Sequence, residues 1–213
     1  SSFTSEELLA KGDQLAEEGL IDEAIAAYQE ATQLDPQNAA AYARLGRLLV
    51  QRRQHEQAIR AAQRAVEIDA EYAEGQAILG MVLDWSGRAY EAVMPLLRAI
   101  EIDPSYAVAY AYLAEVYADT DRLNRAWETL DKAVELAPED PYVIRSSAYV
   151  LERSGDYEGA IEEYQRAVAL RPNWAHLYVS LGQNYRVLGR IDEAIAQFEK
   201  ATEIDPKDPI AHD

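Results

Sequence analysis

At 213 residues, 49% of them apolar, the chain is long enough to bury a sizeable core and too apolar to stay disordered. Lys and Arg number 20 against 38 Asp and Glu, a formal charge of −18, and such a surface repels phosphate backbones and anionic lipid; neither nucleic acid nor membrane is expected as a partner. The absence of Cys removes disulfides, thiolate metal sites and Cys nucleophiles. No uncharged apolar run approaches the ~18 residues of a membrane span.

Along the chain, small residues recur every 34 positions. Ala24, Ala58, Ala92, Ala126, Ala160 and Ala194 form one column, and Ala31, Ala65, Ala99, Ala133, Ala167 and Ala201 a second. A third reads Gly12, Gly46, Gly80, Ala114, Ala148 and Gly182, and a fourth Pro36, Ala70, Pro104, Pro138, Pro172 and Pro206. Four columns in phase over six periods, with no insertion, predict six units of two helices each.

The first unit opens with a helix over 5–18, whose Glu6, Glu7, Lys11 and Asp13 supply the polar outer face that the end of an array needs. In the second, a helix over 39–52 carries Tyr42, Leu45, Gly46 and Leu49 at the i, i+3, i+4, i+7 spacing of one helix face. A polar break at Arg52–His55 follows, and Ala58, Ala62 and Ala65 form the stripe of a second helix. The third unit repeats this from 73–86, but Pro95 falls inside its second helix, where a lost hydrogen bond and a clash cost ~3 kcal/mol; a kink or a delayed start is expected there. First helices over 107–120, 141–154 and 175–188 follow, each with its second helix three residues later, and the Asp-Pro pairs at 35, 103 and 205 mark second-helix ends. Asp208-Pro209-Ile210 reads as the start of one more helix in a longer protein. On that reading Ile191, Ile195, Phe198 and Thr202 of the last helix are partly uncovered, and a homo-oligomer can close the open C-terminal end.

The small columns have a packing reason. Two antiparallel helices approach closely only where one offers Gly or Ala and the other fills the notch. The fillers are Tyr28, Leu96, Leu130, Tyr164 and Phe198, each four residues after the first Ala of its pair.

In this order, the small residues, aromatics and closing Pro resemble the tetratricopeptide repeat (TPR), a 34-residue helix–turn–helix signature. After a tail at 1–4 the resemblance covers 5–208 as repeats 5–38, 39–72, 73–106, 107–140, 141–174 and 175–208, with 209–213 as the truncated start of a further helix. It implies an all-α solenoid, a right-handed α-α superhelix of less than one turn with a concave groove. Departures are local: Ala70 replaces the Pro, Arg53 and Asp121 replace the turn Gly, and Gln76 replaces the first bulky residue.

In each first helix, positions 4, 7, 8 and 11 point into the array, and positions 2, 5, 6, 9, 12 and 13 lie opposite. In the family that opposite face lines the groove. Here it presents Arg44 and Arg47 in repeat two, then Ile78, Met81 and Trp85 in repeat three. Repeat four adds Tyr112 beside Glu115 and Asp119; repeat five adds Tyr142, Arg145, Tyr149 and Arg153 beside Glu152; repeat six adds His176, Gln183 and Arg186. The groove carries its proportional share of the net charge, so what distinguishes it is the clustering of Arg with Tyr in repeats five and six. Arg offers a planar fork for carboxylates and Tyr adds contact area at low entropy cost, which points to an acidic or C-terminal peptide.

Two family activities lack their residues. The carboxylate clamp of chaperone adaptors needs Lys and Asn where this chain has Leu9, Asp13, Ala43, Arg47, Ala111 and Glu115. The Asn ladder of the O-linked GlcNAc transferase superhelix is replaced by Ala10, Arg44, Ile78, Tyr112, Ser146 and Ser180. His55, His176 and His212 are too far apart in sequence for a local metal site, and neither HExxH nor a phosphate loop is present. No active site, metal or cofactor is expected. The sequence therefore reads as a cytoplasmic protein-interaction scaffold that holds a partner's peptide in its groove. The alternatives are a regulatory or docking arm of a larger enzyme and a self-assembling module.

Overall fold

The structure, a computed structural model, describes residues 3–208. Those residues form twelve α-helices and no strand: α1 (Ser5–Glu17), α2 (Ile21–Leu34), α3 (Ala39–Gln51), α4 (His55–Ile68), α5 (Ala73–Trp85), α6 (Ala89–Ile102), α7 (Ala107–Asp119), α8 (Leu123–Leu136), α9 (Pro141–Arg153), α10 (Tyr157–Leu170), α11 (Ala175–Val187) and α12 (Ile191–Ile204). Helix lengths alternate strictly between 13 and 14 residues, and the phase never slips. The chain divides into two compact units, Ser1–Ala109 and Tyr110–Asp213. In the first, α1 packs on α2, α2 on α3, α3 on α4 and α5, α4 on α5, and α5 on α6; in the second, α9 packs on α8 and α10, α10 on α11, and α11 on α12.

The helix pairs close at the small-residue column. A Cβ added to Gly12 would strike the Tyr28 ring, one on Gly80 would strike Leu96, and one on Gly182 would lie 2.6 Å from Phe198 Cε1. Repeat two has Ala62 in place of a filler, and a Cβ on Gly46 would lie 3.0 Å from the Ala58 carbonyl oxygen. There the two backbones themselves meet, and no side chain is available to yield.

The turn from first to second helix needs one left-handed residue, and that residue also recurs every 34 positions. Gly19, Gly87, Gly155 and Gly189 have φ of 81°, 79°, 85° and 74°, while Arg53 and Asp121 both take φ 57°. The connection between repeats tolerates Ala70 for a different reason. Asp69, like Asp35, Asp103 and Asp205, accepts the backbone N–H two residues on, and this holds the turn with or without proline.

Of the two outcomes expected in α6, the delayed start does not occur: the helix begins at Ala89, in register with every other second helix, and runs through Pro95 to Ile102. The carbonyl that Pro95 leaves without a helical donor is that of Glu91, an exposed residue where water can satisfy it.

At the N-terminal end, Thr4 and Glu7 form a reciprocal capping box and Lys11 lies 5.5 Å over the Phe3 ring. At α12, Ile191 and Ile195 are exposed and Phe198 and Thr202 half-buried. The further helix expected at 209–213 lies outside the described residues.

Candidate functional site

The residues expected to line the groove fall into two sets, one in each unit. In the first unit, Arg44 on α3 donates to Asp13 on α1 and lies 3.6 Å from Glu74 on α5; Arg47 lies 3.6 Å from the same carboxylate. The Tyr28 hydroxyl donates to Asp13 at 2.8 Å and the Tyr72 hydroxyl to Glu74 at 2.5 Å. Burial alone would raise the Glu74 carboxyl, but Arg47, the Tyr72 hydroxyl and Arg44 outweigh it and hold the group below its usual range. The two arginines thus tie three successive first helices together. Ile78 and Met81 are 0% and 1% exposed and offer a ligand almost no surface, whereas Trp85 is half-buried. The helical wheel gave first helices one free face; α5 has little of one because α3, α4 and α6 all pack on it.

The second unit repeats the device at greater depth. Glu115 on α7 is 2% exposed; Arg145 on α9, 7% exposed, donates to it at 2.5 Å, and the Ser146 hydroxyl donates to its other oxygen. Desolvation opposes charge on Arg145, yet Glu115 holds the guanidinium protonated more firmly than in water. One turn further along α9, the Tyr149 hydroxyl donates to Asp119 at 2.5 Å; Arg153 lies 3.3 Å from Asp119 and 3.9 Å from Asp121. Glu152 accepts from the Tyr164 hydroxyl at 3.3 Å and from Asn184 Nδ2 at 2.8 Å. The cations of repeat five are therefore already paired with the acids of repeat four. Arg186 is exposed, 6.0 Å over the Phe198 ring, and makes no ion pair among the described residues; Gln183 is half-buried.

Beside these pairs runs a line of rings. Tyr112 meets Tyr142 edge-on at 6.3 Å, Tyr142 tilts against Trp174 at 4.8 Å, and Trp174 stacks on His176 at 5.4 Å. Tyr112 is buried, while Tyr142, Trp174 and His176 are half-buried. Burial, and then the charge of Arg145, push the His176 imidazole down to about 3, so the ring is neutral at physiological pH. Sequence reasoning missed Trp174 because it sits at the N-cap, one residue before the helix. A signal was available: the column Thr4, Asn38, Tyr72, Tyr106, Asp140, Trp174 holds three polar residues and three aromatics. Thr4, Asn38 and Asp140 cap through their side chains and Tyr72 and Trp174 do not, which leaves those rings for packing.

No group of three or more His, Cys, Asp or Glu among the described residues could hold a metal ion, and no helix among them is long and apolar enough to cross a membrane. Models of the TPR repeat and tetratricopeptide repeat match residues 12–51, 39–72, 86–146 and 146–209. The chain belongs to the tetratricopeptide-repeat family. No curated protein matches it by sequence. Among solved structures, this TPR chain is similar to one described as the APC/C hetero-tetramer Cut9-Hcn1, at 17% identity and a TM-score of 0.65, over 96% of this chain and 47% of that one. It thus spans about half the length of that relative, and at this identity the likeness speaks for the fold alone. A structure of MamA protein is similar at 25% identity and a TM-score of 0.48, over 79% of this chain and 92% of that one. The TPR fold supplies a scaffold for protein interaction, and its first-helix residues are held in place by one another.

Proposed function

We propose that this TPR protein binds a peptide segment of a partner protein on the first-helix face of repeats four to six, with the rings of Tyr142, Trp174 and His176 as the contact surface. The observation that carries this is the aromatic run itself. Rigid, partly exposed rings give contact area at little entropic cost, and such residues dominate binding energy in peptide and protein interfaces. Arg145 and Arg153, closed by Glu115, Asp119 and Asp121, hold that platform in place and do not grip a carboxylate. Arg186, exposed and without an ion pair among the described residues, is available to an acidic side chain or a C-terminal carboxylate. It lies ten residues beyond His176 on α11, about 15 Å along the axis, the span of roughly five residues of extended peptide. The preferred segment therefore carries an aromatic or apolar anchor with an acidic group about five residues away.

Selection of a displayed peptide library on the protein tests this. Enriched peptides should bind Trp174→Ala and Tyr142→Ala at least ~10-fold more weakly than the wild type, and Arg186→Glu should weaken those that carry the acidic group. Peptides that bind all three variants as tightly as the wild type would overturn the reading.

A further inference from the structure

At three positions on the outer face of the second helices, five repeats carry polar residues or alanine and one carries large apolar residues. The column containing Tyr90 is otherwise Asp22, Glu56, Asn124, Glu158 and Asp192; that of Met94 is otherwise Ala26, Arg60, Glu128, Glu162 and Ala196; that of Leu97 holds only Gln, Asp and Glu elsewhere. Solvent explains the polar residues, and in α6 the same positions are open to it: Tyr90 is 74% exposed, Met94 70% and Leu97 42%. Large apolar side chains at i, i+4 and i+7, on a face that carries no large apolar residue at these positions in the other repeats, form a contiguous stripe open to solvent.

We propose that this stripe binds a second copy of the chain, pairing α6 with itself in antiparallel orientation about a two-fold axis near Met94. The charges beside the stripe select this occupant. At 100° per residue, Tyr90 and Leu97 lie about 40–60° to one side of Met94, and Glu91 and Arg98 about 40–60° to the other. A two-fold axis perpendicular to the helix at Met94 keeps each side on its own side and inverts height. It therefore sets Met94 against its copy, Tyr90 against the partner's Leu97, and Glu91 against the partner's Arg98, with the last two contacts made twice. Glu91 and Arg98 now sit in surface ion pairs with Arg88, and with Glu101 and Glu71, which cost little to exchange. Parallel pairing, about an axis along the helix, exchanges the two sides and would instead set Glu91 against the partner's Tyr90 and Arg98 against its Leu97, with neither charge paired. The stripe is small, at the low end of specific interfaces, so the dimer is weak, with a Kd of about 100 μM.

Sedimentation of the full chain over a concentration series reads the association. Met94→Glu, the residue that repeats four and five carry in this column, should abolish it without altering the far-ultraviolet spectrum. Glu91→Arg and Arg98→Glu should each weaken it about tenfold or more, and the double variant should return it to the wild-type value. Because the chain has no Cys, Met94→Cys should form a disulfide-linked dimer on mild oxidation much faster than Ala26→Cys, its equivalent in repeat one. A wild type still monomeric at about 1 mM, a double reversal no better than the singles, or equal cross-linking at positions 94 and 26 would each overturn the proposal.

Discussion

In the first unit Arg44 reaches Asp13 and Glu74 from a half-exposed position, whereas in the second Arg145 meets Glu115 where both are nearly sealed from water. The chemistry is the same: an acid on one first helix and an arginine on the next. The depth is not, and depth decides what the pair is for. A half-exposed pair gains little over hydrated ions, so the first network guides packing more than it stabilises it. A sealed pair loses most of its attraction to desolvation but penalises any arrangement that separates its members, so it fixes how α7 and α9 sit together. The aromatic platform lies in the second unit with that fixed pair; in the column of Tyr142 and His176 the first unit has Glu6, Ala40 and Glu74.

The sharpest way to break the comparison is to remove one member of each pair. Arg145→Met strands the Glu115 carboxylate and should cost ~3–5 kcal/mol by denaturant unfolding, with much of the loss recovered in Arg145→Met/Glu115→Leu. Arg44→Met should cost no more than ~1 kcal/mol, because Asp13 and Glu74 keep access to water. Equal costs would mean that depth does not distinguish the two networks.

A second difference follows from His176, which stacks on Trp174 in the second unit alone. Its native pKa of about 3 lies below the unfolded value near 6.5, so below pH 6.5 the unfolded chain binds a proton that the native state refuses. Stability should fall as pH drops from about 6.5 towards about 3, by up to ~1.4 kcal/mol per pH unit from this residue. His176→Phe should remove that share of the slope, and an unchanged pH profile would show that the ring is not shielded.

The smallest effect is one on which the two units should agree. Arg53 and Asp121 hold the left-handed turn that glycine holds in the other four repeats, and no glycine at that turn with a described environment, Gly87, Gly155 or Gly189, has a neighbour that a side chain would meet. Arg53→Gly and Asp121→Gly should each stabilise the chain by about 0.5 kcal/mol, the relief of backbone strain less the added freedom of the unfolded chain. A gain in only one unit would mean that the turns are not equivalent.

The helices were legible in the sequence almost to the residue, since each rests on columns repeated six times and a wrong phase would have broken all of them together. The site was legible only as a set of positions. Arg145, Tyr149 and Arg153 stood out by type, but their partners Glu115 and Asp119 lie about 30 residues earlier, in the preceding repeat. Counting charge over all groove positions averages away such pairing between repeats. Trp174 escaped because helix-face reasoning starts at the first helical residue. In Pro95 the local rule was right about the lost hydrogen bond and wrong about a delayed start, because the freed carbonyl belongs to an exposed residue.

The unbroken 34-residue phase also bears on how such a chain changes over evolutionary time. Between the described helices, successive repeats join through segments of the same length, and in repeat two an aspartate keeps the outgoing joint without its proline. Unequal crossing-over between any two repeats would delete or duplicate a whole module and leave both splice points intact. Repeat number can therefore drift between lineages without a poorly folded intermediate, while binding residues diverge within single copies.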